Sequence, residues 1–312
     1  MGAFALGVDL GGTKIEAVVL QGDARTELAR VRVATQQEEG YEAIVARTAG
    51  LIAEALRTAG VRREDATFGV GMPGHVARRT GLVKNSNTVC LNGRPFREDL
   101  TRAVGRPVAF ENDANCFALA EALAGAGATY RDGVVFGVIM GTGVGGGLVV
   151  RGEVWPGLQG IAGEWGHHAV WGGRAGARAC YCGQTGCLES YASGPAVEED
   201  YASRTGVRLR LPEIVARRSS DPAAGAAIDG LLDAFGRGLA NLIDILDPSA
   251  VVLGGGLSNL ALLVDEGVAR VGRYVFNDEL VTPIVKNALG DSAGVIGAAL
   301  LGATDASRRA CR

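Results

Sequence analysis

No stretch of the sequence approaches the roughly 20 consecutive apolar residues that a membrane-spanning helix needs, although 47% of its 312 residues are hydrophobic. Basic charge is not in excess either. The chain sets 31 Lys and Arg against 34 Asp and Glu, a net charge of -3, which argues against a protein that grips nucleic acid with a basic surface. There is no G-x-x-x-x-G-K-[ST] element, so the usual P-loop is missing. No low-complexity linker interrupts the chain, and histidine is scarce, with three residues. The opening MGAFALGVDLGG reaches Asp9 too early for the apolar core of a secretory signal. Cytoplasm is therefore expected, and reduced thiols with it.

Glycine is what the chain has in quantity: 48 residues, without the period of a collagen. They cluster between apolar segments, where backbone turns sharply or approaches a ligand closely. AFALGVDLGGTKIEAVVLQG reads as strand, glycine turn and strand, and VVFGVIMGTGVGGGLVVRGEV reads the same way. At an offset of 130 residues Gly7 meets Gly137, Val8 meets Val138 and Gly11 meets Gly141. This is a weak internal duplication of a β-hairpin with a glycine tip. Helical patterns follow in GYEAIVARTAGLIAEALRTAG, in ANCFALAEALAGAGA, in AAIDGLLDAFGRGLANLIDILDP and in the final AGVIGAALLGAT. Strands alternating with helices give the α/β class, and the length suits two domains. The natural boundary lies near residues 117–130.

GTGVGG (Gly141–Gly146) matches G-x-G-x-x-G, but a dinucleotide site needs a helix after the glycines, and here GLVVRGEV reads as another strand. Backbone N–H groups at a hairpin tip also make a concave anion site, and glycine lets phosphate oxygens come close. Two related hairpins, with VVLGGGLSN as a third glycine turn, suit a polyphosphate held between two domains. The first turn adds Asp9, Thr13 and Lys14; the second has Ile139 where the first has Asp9. The carboxylate is thus one-sided, as a single metal–phosphate assembly would require.

PVAFENDANCFALAEA places Asn112 and Asp113 where a strand hands over to a helix. Asp113 fits an N-cap, and it equally fits the carboxylate that accepts a hydroxyl proton in phosphoryl transfer. CYCGQTGCLES brings Cys180, Cys182 and Cys187 together. A disulfide would leave one cysteine over, and a zinc ion would take all three and need a fourth ligand, for which His167 is in reach of the chain. Gly183 and Gly186 allow the loop to curl. Iron–sulfur ligation lacks a fourth nearby cysteine. His168 reads as incidental, and Cys90, Cys116 and Cys311 as structural or incidental.

GVDLGGTK, ENDAN, GTGVGGG, EWGH, CYCGQTGCLE and VVLGGGLSN stand in the order found in ROK-family sugar kinases, and the chain resembles that family across residues 7–259 and compatibly to its end. The resemblance implies an α/β fold of two ribonuclease H-like domains of the actin, Hsp70 and sugar kinase superfamily, with an interdomain cleft. Residues 1–118 with 291–312 would form the N-terminal domain, and 119–290 the C-terminal domain with its zinc-binding loop. It implies ATP with Mg2+ at Asp9, Gly11, Gly12, Thr13, Lys14, Gly141, Thr142, Gly143, Gly254, Gly255 and Gly256, and Asp113 as the general base. Sugar contacts are implied at Asn112, at Glu164 and His167 of the ExGH motif, and at Glu189; Asn87 of LVKNSNTVCLNG joins them. A structural Zn2+ would sit on His167, Cys180, Cys182 and Cys187 and preorganise the sugar side.

The wording of these loops most resembles bacterial fructokinases, so the expected reaction is ATP-dependent phosphorylation of a hexose, D-fructose first with mannose tolerated, to the 6-phosphate. N-acetylglucosamine kinase and glucokinase share every catalytic motif and stand as the alternative. A non-enzymatic sugar sensor is a further class; with the first phosphate turn starting by residue 9, a DNA-binding domain ahead of it is not expected. An ATPase module related to actin would have no use for the ExGH and cysteine motifs. The family resemblance also implies a homodimer, with no nucleic-acid or membrane partner.

Overall fold

The alternation in FALGVDL builds the first strand, and its two faces meet different neighbours. The computed structural model describes residues 4–22, 26–172, 174 and 176–310; Cys311 and the first three residues lie outside that range. The strands are β1 (Phe4–Leu10), β2 (Lys14–Gln21), β3 (Glu27–Ala34), β4 (Ala66–Met72), β5 (His75–Val76), β6 (Val83–Lys84), β7 (Val108–Asn112), β8 (Val134–Met140), β9 (Val144–Val150), β10 (Glu153–Val154), β11 (Ala250–Gly254) and β12 (Ile284–Lys286). The helices are α1 (Tyr41–Ala59), α2 (Phe96–Val104), α3 (Asp113–Ala124), α4 (Glu189–Ala192), α5 (Gly194–Thr205), α6 (Leu211–Arg217), α7 (Pro222–Leu246), α8 (Val268–Tyr274) and α9 (Ala293–Ala310).

The duplication seen in the sequence is the plan of the sheets. The first has the order β3-β2-β1-β4-β7 and the second β10-β9-β8-β11-β12. β1 pairs antiparallel with β2 and parallel with β4, and β8 pairs parallel with β11. β1 and β8 lie at the same offset of 130 and show the same burial pattern along their seven residues. Strand–turn–strand followed by parallel strands on helices is the ribonuclease H-like arrangement that the resemblance implied.

The chain forms two compact units. One comprises Met1–Asp132, Gly147–Ala162 and Ala288–Arg312, the other Gly133–Gly146 and Gly163–Asn287. The division differs from the one expected at 118/119 and 290/291. α3 runs through residue 118 without a break and stays in the first unit, because its Glu121, fully buried, accepts N–H bonds from Ala126, Ala288 and Leu289. Residues 147–162 join the first unit too, where Gly147 abuts the Ala114 carbonyl, leaving 2.5 Å for any Cβ.

In the first unit, Leu6, Val8 and Leu10 of β1 share a core with Ile15, Phe68, Val70 and the buried faces of α1 and α2. α1 buries Tyr41, Ile44, Thr48, Leu51, Ile52, Ala55 and Leu56, a helical stripe, and ends where Gly60 takes φ 66°. The odd residues of β1 face α9: Ala5 packs with Val295 and Ala299. Gly7 and Gly69 leave no space for a side chain there, since a Cβ would fall 2.1 Å from the Val295 carbonyl and 1.9 Å from that of Ala298. Glycine on this sheet face lets α9 lie directly on the strands. In the second unit α7 is capped by Asp221, which accepts from Ala223 N at 2.8 Å, buries Ile228, Leu231, Leu232, Phe235 and Leu239, and stops at Asp247 with φ 41°. No described helix is long and apolar enough to cross a membrane.

Candidate functional site

The first glycine turn is built by its own backbone and by β3. Gly11 N–H donates to the Lys14 carbonyl at 2.9 Å, and Thr35 N–H donates to the Thr13 carbonyl at 2.9 Å. The Thr35 hydroxyl donates to the Gly11 carbonyl at 2.7 Å. Sequence reading missed Thr35, which is fully buried at the end of β3 and carries no motif. Nothing lies within 4 Å of a Cβ placed on Gly12, and Thr13 and Lys14 are exposed. Glycine at 12 is therefore not demanded by internal packing; it leaves the backbone open from outside. Lys14 Nζ reaches the buried Glu16 carboxylate at 3.2 Å, which also pairs with Arg30 and Arg32.

Asp9 follows on the α9 face of β1. Its Oδ2 lies 3.1 Å from where a Gly294 Cβ would be. Burial, then the charges of Asp113 and Glu16, raise its pKa from 3.8 to about 6, against the opposing pull of Lys14. The two aspartates that the sequence singled out thus sense one another within this unit.

At the β7–α3 corner the N-cap is Asn112. Its Oδ1 accepts from Ala114 N at 2.9 Å, and its amide donates to the Gly74 carbonyl at 3.1 Å. Asp113 is the first helical residue, and its Oδ1 also accepts from Ala114 N at 2.9 Å. The capping alternative for Asp113 is thus met by its neighbour. Behind the corner, Glu111 Oε1 accepts from Asn112 N at 2.9 Å and Asn115 Nδ2 at 3.0 Å. Burial raises the Glu111 carboxyl above its ordinary range. Asn87 is exposed, in a loop whose shape is fixed by Asn92, which takes Ser86 N and gives to the Ser86 carbonyl, both at 2.9 Å.

In the second unit, Gly141 N–H donates to Gly143 O and Gly141 O accepts from Gly194 N, each at 2.9 Å. Gly255 has φ 78°, with the Met140 carbonyl 2.3 Å from a would-be Cβ; only glycine fits there. Gly254 ends β11, and Gly256 opens a short 3₁₀ turn with nothing within 4 Å of its Cβ position. Thr142 is exposed. Glu189, expected at the sugar, has one oxygen on the second glycine turn: Oε2 accepts Val144 N–H at 2.7 Å and stands 2.8 Å from a Gly143 Cβ position.

Glu164 is exposed and precedes a single 3₁₀ turn, Trp165–His167. Trp165 Nε1 donates to the Gly145 carbonyl at 2.8 Å, and the Val144 carbonyl comes within 2.0 Å of a Gly166 Cβ position. The glycine of EWGH therefore lets this turn press against β9. His167 presents Nδ1 to Cys180 Sγ at 3.6 Å and Nε2 to the Tyr181 hydroxyl at 3.0 Å. His168 is half-buried, and its burial lowers its pKa.

His167, Cys180, Cys182 and Cys187 place one ligand atom each within 4.8 Å of one another. Tetrahedral zinc, with bonds of about 2.3 Å to sulfur and about 2.0–2.1 Å to nitrogen, spaces ligand atoms roughly 3.5–3.8 Å apart. Cys182 and Cys187 Sγ are 3.6 Å apart, as are Cys180 Sγ and His167 Nδ1. The loop closes through Gly183 (φ 89°) and Gly186 (φ 77°). Burial, then the Cys182 and Cys180 sulfurs, push the Cys187 thiol up to about 12. The donor set fits zinc.

Tyr181, between two of these cysteines, carried no signal in the motif pattern. Partial desolvation, then the charges of Glu189, Cys180 and Glu164, push its phenol up to about 12.

The ROK family model matches residues 5–305. An N-acetyl-D-glucosamine kinase of Photobacterium profundum is 39% identical over 306 residues, 95% of this chain and 98% of that protein. An N-acetylgalactosamine kinase of a Shewanella species is 37% identical over 95% of this chain and 96% of its own length. Among solved structures, a ROK hexokinase from Thermus thermophilus superposes with a TM-score of 0.87 at 35% identity, covering 98% of this chain and 99% of that one.

Proposed function

The chain belongs to the ROK family and is an ATP-dependent sugar kinase, and from that premise we propose that its substrate is an N-acetylated hexosamine, N-acetyl-D-glucosamine first, converted to the 6-phosphate. The observation that carries this is near-full-length kinship with kinases of N-acetylated amino sugars. That kinship favours the alternative weighed from the sequence over D-fructose. Hydroxyl-level selectivity lies in loop geometry that shared catalytic motifs do not encode.

In this reading the sugar hydroxyl oxygen attacks the γ-phosphorus, the bond from that phosphorus to the ADP oxygen breaks, and Asp113 accepts the hydroxyl proton. Asn112 is held by its bonds to Ala114 and Gly74, which fixes the corner that presents Asp113. Backbone N–H groups of the glycine turns at 11–14, 141–143 and 254–256 donate to the nucleotide phosphates. Asp9 organises the metal–phosphate assembly, and Mg2+ supplies charge neutralisation when ATP is bound. His167, Cys180, Cys182 and Cys187 would hold zinc, which when bound supplies a fixed tetrahedral centre rather than a reacting one. Glu164 and Glu189 offer acceptors to sugar hydroxyls, as does Asn87 with its amide.

A coupled ADP-release assay tests this with N-acetylglucosamine, N-acetylgalactosamine, glucose, mannose and fructose. The expected result is the highest kcat/KM for N-acetylglucosamine. A tenfold preference for fructose would return the substrate to the first expectation. Asp113→Asn should bind sugar by calorimetry and lose about 10²–10⁴ in kcat; near-normal turnover would remove Asp113 as the base.

A further inference from the structure

We propose that Thr35 is a positioning residue for the nucleotide: its hydroxyl latches the Gly11–Gly12 peptide so that the Gly12 N–H faces outward, toward a phosphate. Thr35 would act through the first glycine turn, and the inference rests on the reading of that turn as a phosphate site. Thr35 stands one residue past β3, whose last pair joins Ala34 to Lys14. It reaches the turn twice. Its N–H donates to the Thr13 carbonyl at 2.9 Å, and its hydroxyl donates to the Gly11 carbonyl at 2.7 Å.

A trans peptide is planar, and its C=O and N–H point in opposite directions. A Gly11 carbonyl held toward Thr35 therefore turns the Gly12 N–H to the other side. Among the described residues no acceptor takes that N–H, whereas the N–H of Gly11 is spent on the Lys14 carbonyl. The space around Gly12 is open, with nothing within 4 Å of a Cβ position. A peptide between two glycines rotates with little resistance, so a restraint from outside the turn decides where its donor points. That restraint is itself anchored. Thr35 is fully buried, and Arg47 of α1 donates to its carbonyl at 2.6 Å. Gln36 follows at φ 49° and ψ 55°, a left-handed conformation uncommon outside glycine, and the chain leaves the turn directly after Thr35. A valine of the same shape would fill the space equally well and leave the Gly11–Gly12 peptide free to turn.

Thr35→Val keeps the shape and removes the hydroxyl. Thr35→Ala removes it without setting a methyl group against the Gly11 carbonyl, and serves where the valine variant does not fold. Thr35→Ser keeps it. Assayed well below each variant's Tm with the hexose that is turned over best, Thr35→Val and Thr35→Ala should raise the KM for ATP roughly threefold to tenfold, the effect of one weakened hydrogen bond. Thr35→Ser should stay close to wild type. Sugar affinity measured by calorimetry without nucleotide should hold in all three. A role confined to packing would lower Tm and leave the ATP KM alone, and that result would overturn the proposal. So would a serine variant as impaired as the valine one. Failure of the phosphate reading of the turn shows elsewhere: Gly12→Ala would then keep the wild-type ATP KM. A failed latch instead leaves Gly12→Ala weakened and Thr35→Val unchanged.

Discussion

Replacing Asp9 by Asn should stabilise the protein while disabling it. Asp9 sits on the face of β1 that carries Gly7, close to Gly294 of α9, and feels Asp113 and Glu16. Its pKa is raised from 3.8 to about 6, an interval of about 2 that corresponds to about 3 kcal/mol at 1.36 kcal/mol per pH unit. In the unfolded chain Asp9 ionises near 3.8 and in the folded chain near 6. Below the lower value both states are protonated and nothing is lost. As pH rises through the interval the unfolded state gives up its proton first, so native stability falls, and above about 6 the full cost is in place.

Asn cannot ionise, so Asp9→Asn should match wild type near pH 4 and exceed it by up to about 3 kcal/mol at pH 8. In calorimetric unfolding that is a Tm gain of roughly 5 °C or more. Magnesium with ATP should narrow the gap, because a bound metal–phosphate assembly favours the ionised carboxylate of the wild type and finds no charge in the variant. A stability difference that does not change between pH 4 and pH 8, or a variant less stable at pH 8, would refute the claim that a buried, repelled carboxylate is kept for function at the expense of stability.

Three further perturbations separate packing from binding. Freshly purified protein should contain about one zinc per chain by elemental analysis, and its removal with a strong chelator should raise the sugar KM while leaving the ATP KM in place; full activity without zinc would refute the scaffolding role. Gly297→Ala puts a Cβ 1.8 Å from the Cys116 carbonyl, backbone against backbone between α9 and α3, and should cost about 3 kcal/mol or more. Gly12→Ala meets nothing within 4 Å, so it should unfold at the wild-type temperature yet bind ATP more weakly; a large Tm loss in Gly12→Ala would contradict the open turn.

The sequence by itself determined the hairpin duplication, because glycine tips and period-two strands are local signals that survive without knowledge of their partners. It also carried the helical patterns that stop close to Gly60 and Asp247, the clustering of Cys180, Cys182 and Cys187 at short spacing with flanking glycines, and, through the family resemblance, His167 beside them. Tertiary structure alone decided the rest. Gly7, Gly69 and Gly297 read as generic glycines until α9 is seen pressed against the strands and α3. Which residue caps α3 depended on where the backbone becomes helical: Asn112 stays extended (φ -63°, ψ 148°) and takes the cap, and Asp113 opens the helix. Thr35 and Glu121 act through contacts 24 and 167 positions away in the chain, and the Tyr181 hydroxyl meets a ring nitrogen of His167, 14 positions distant. Such pairings depend on how sheets, helices and loops come together in space, a long-range property that no local spacing encodes.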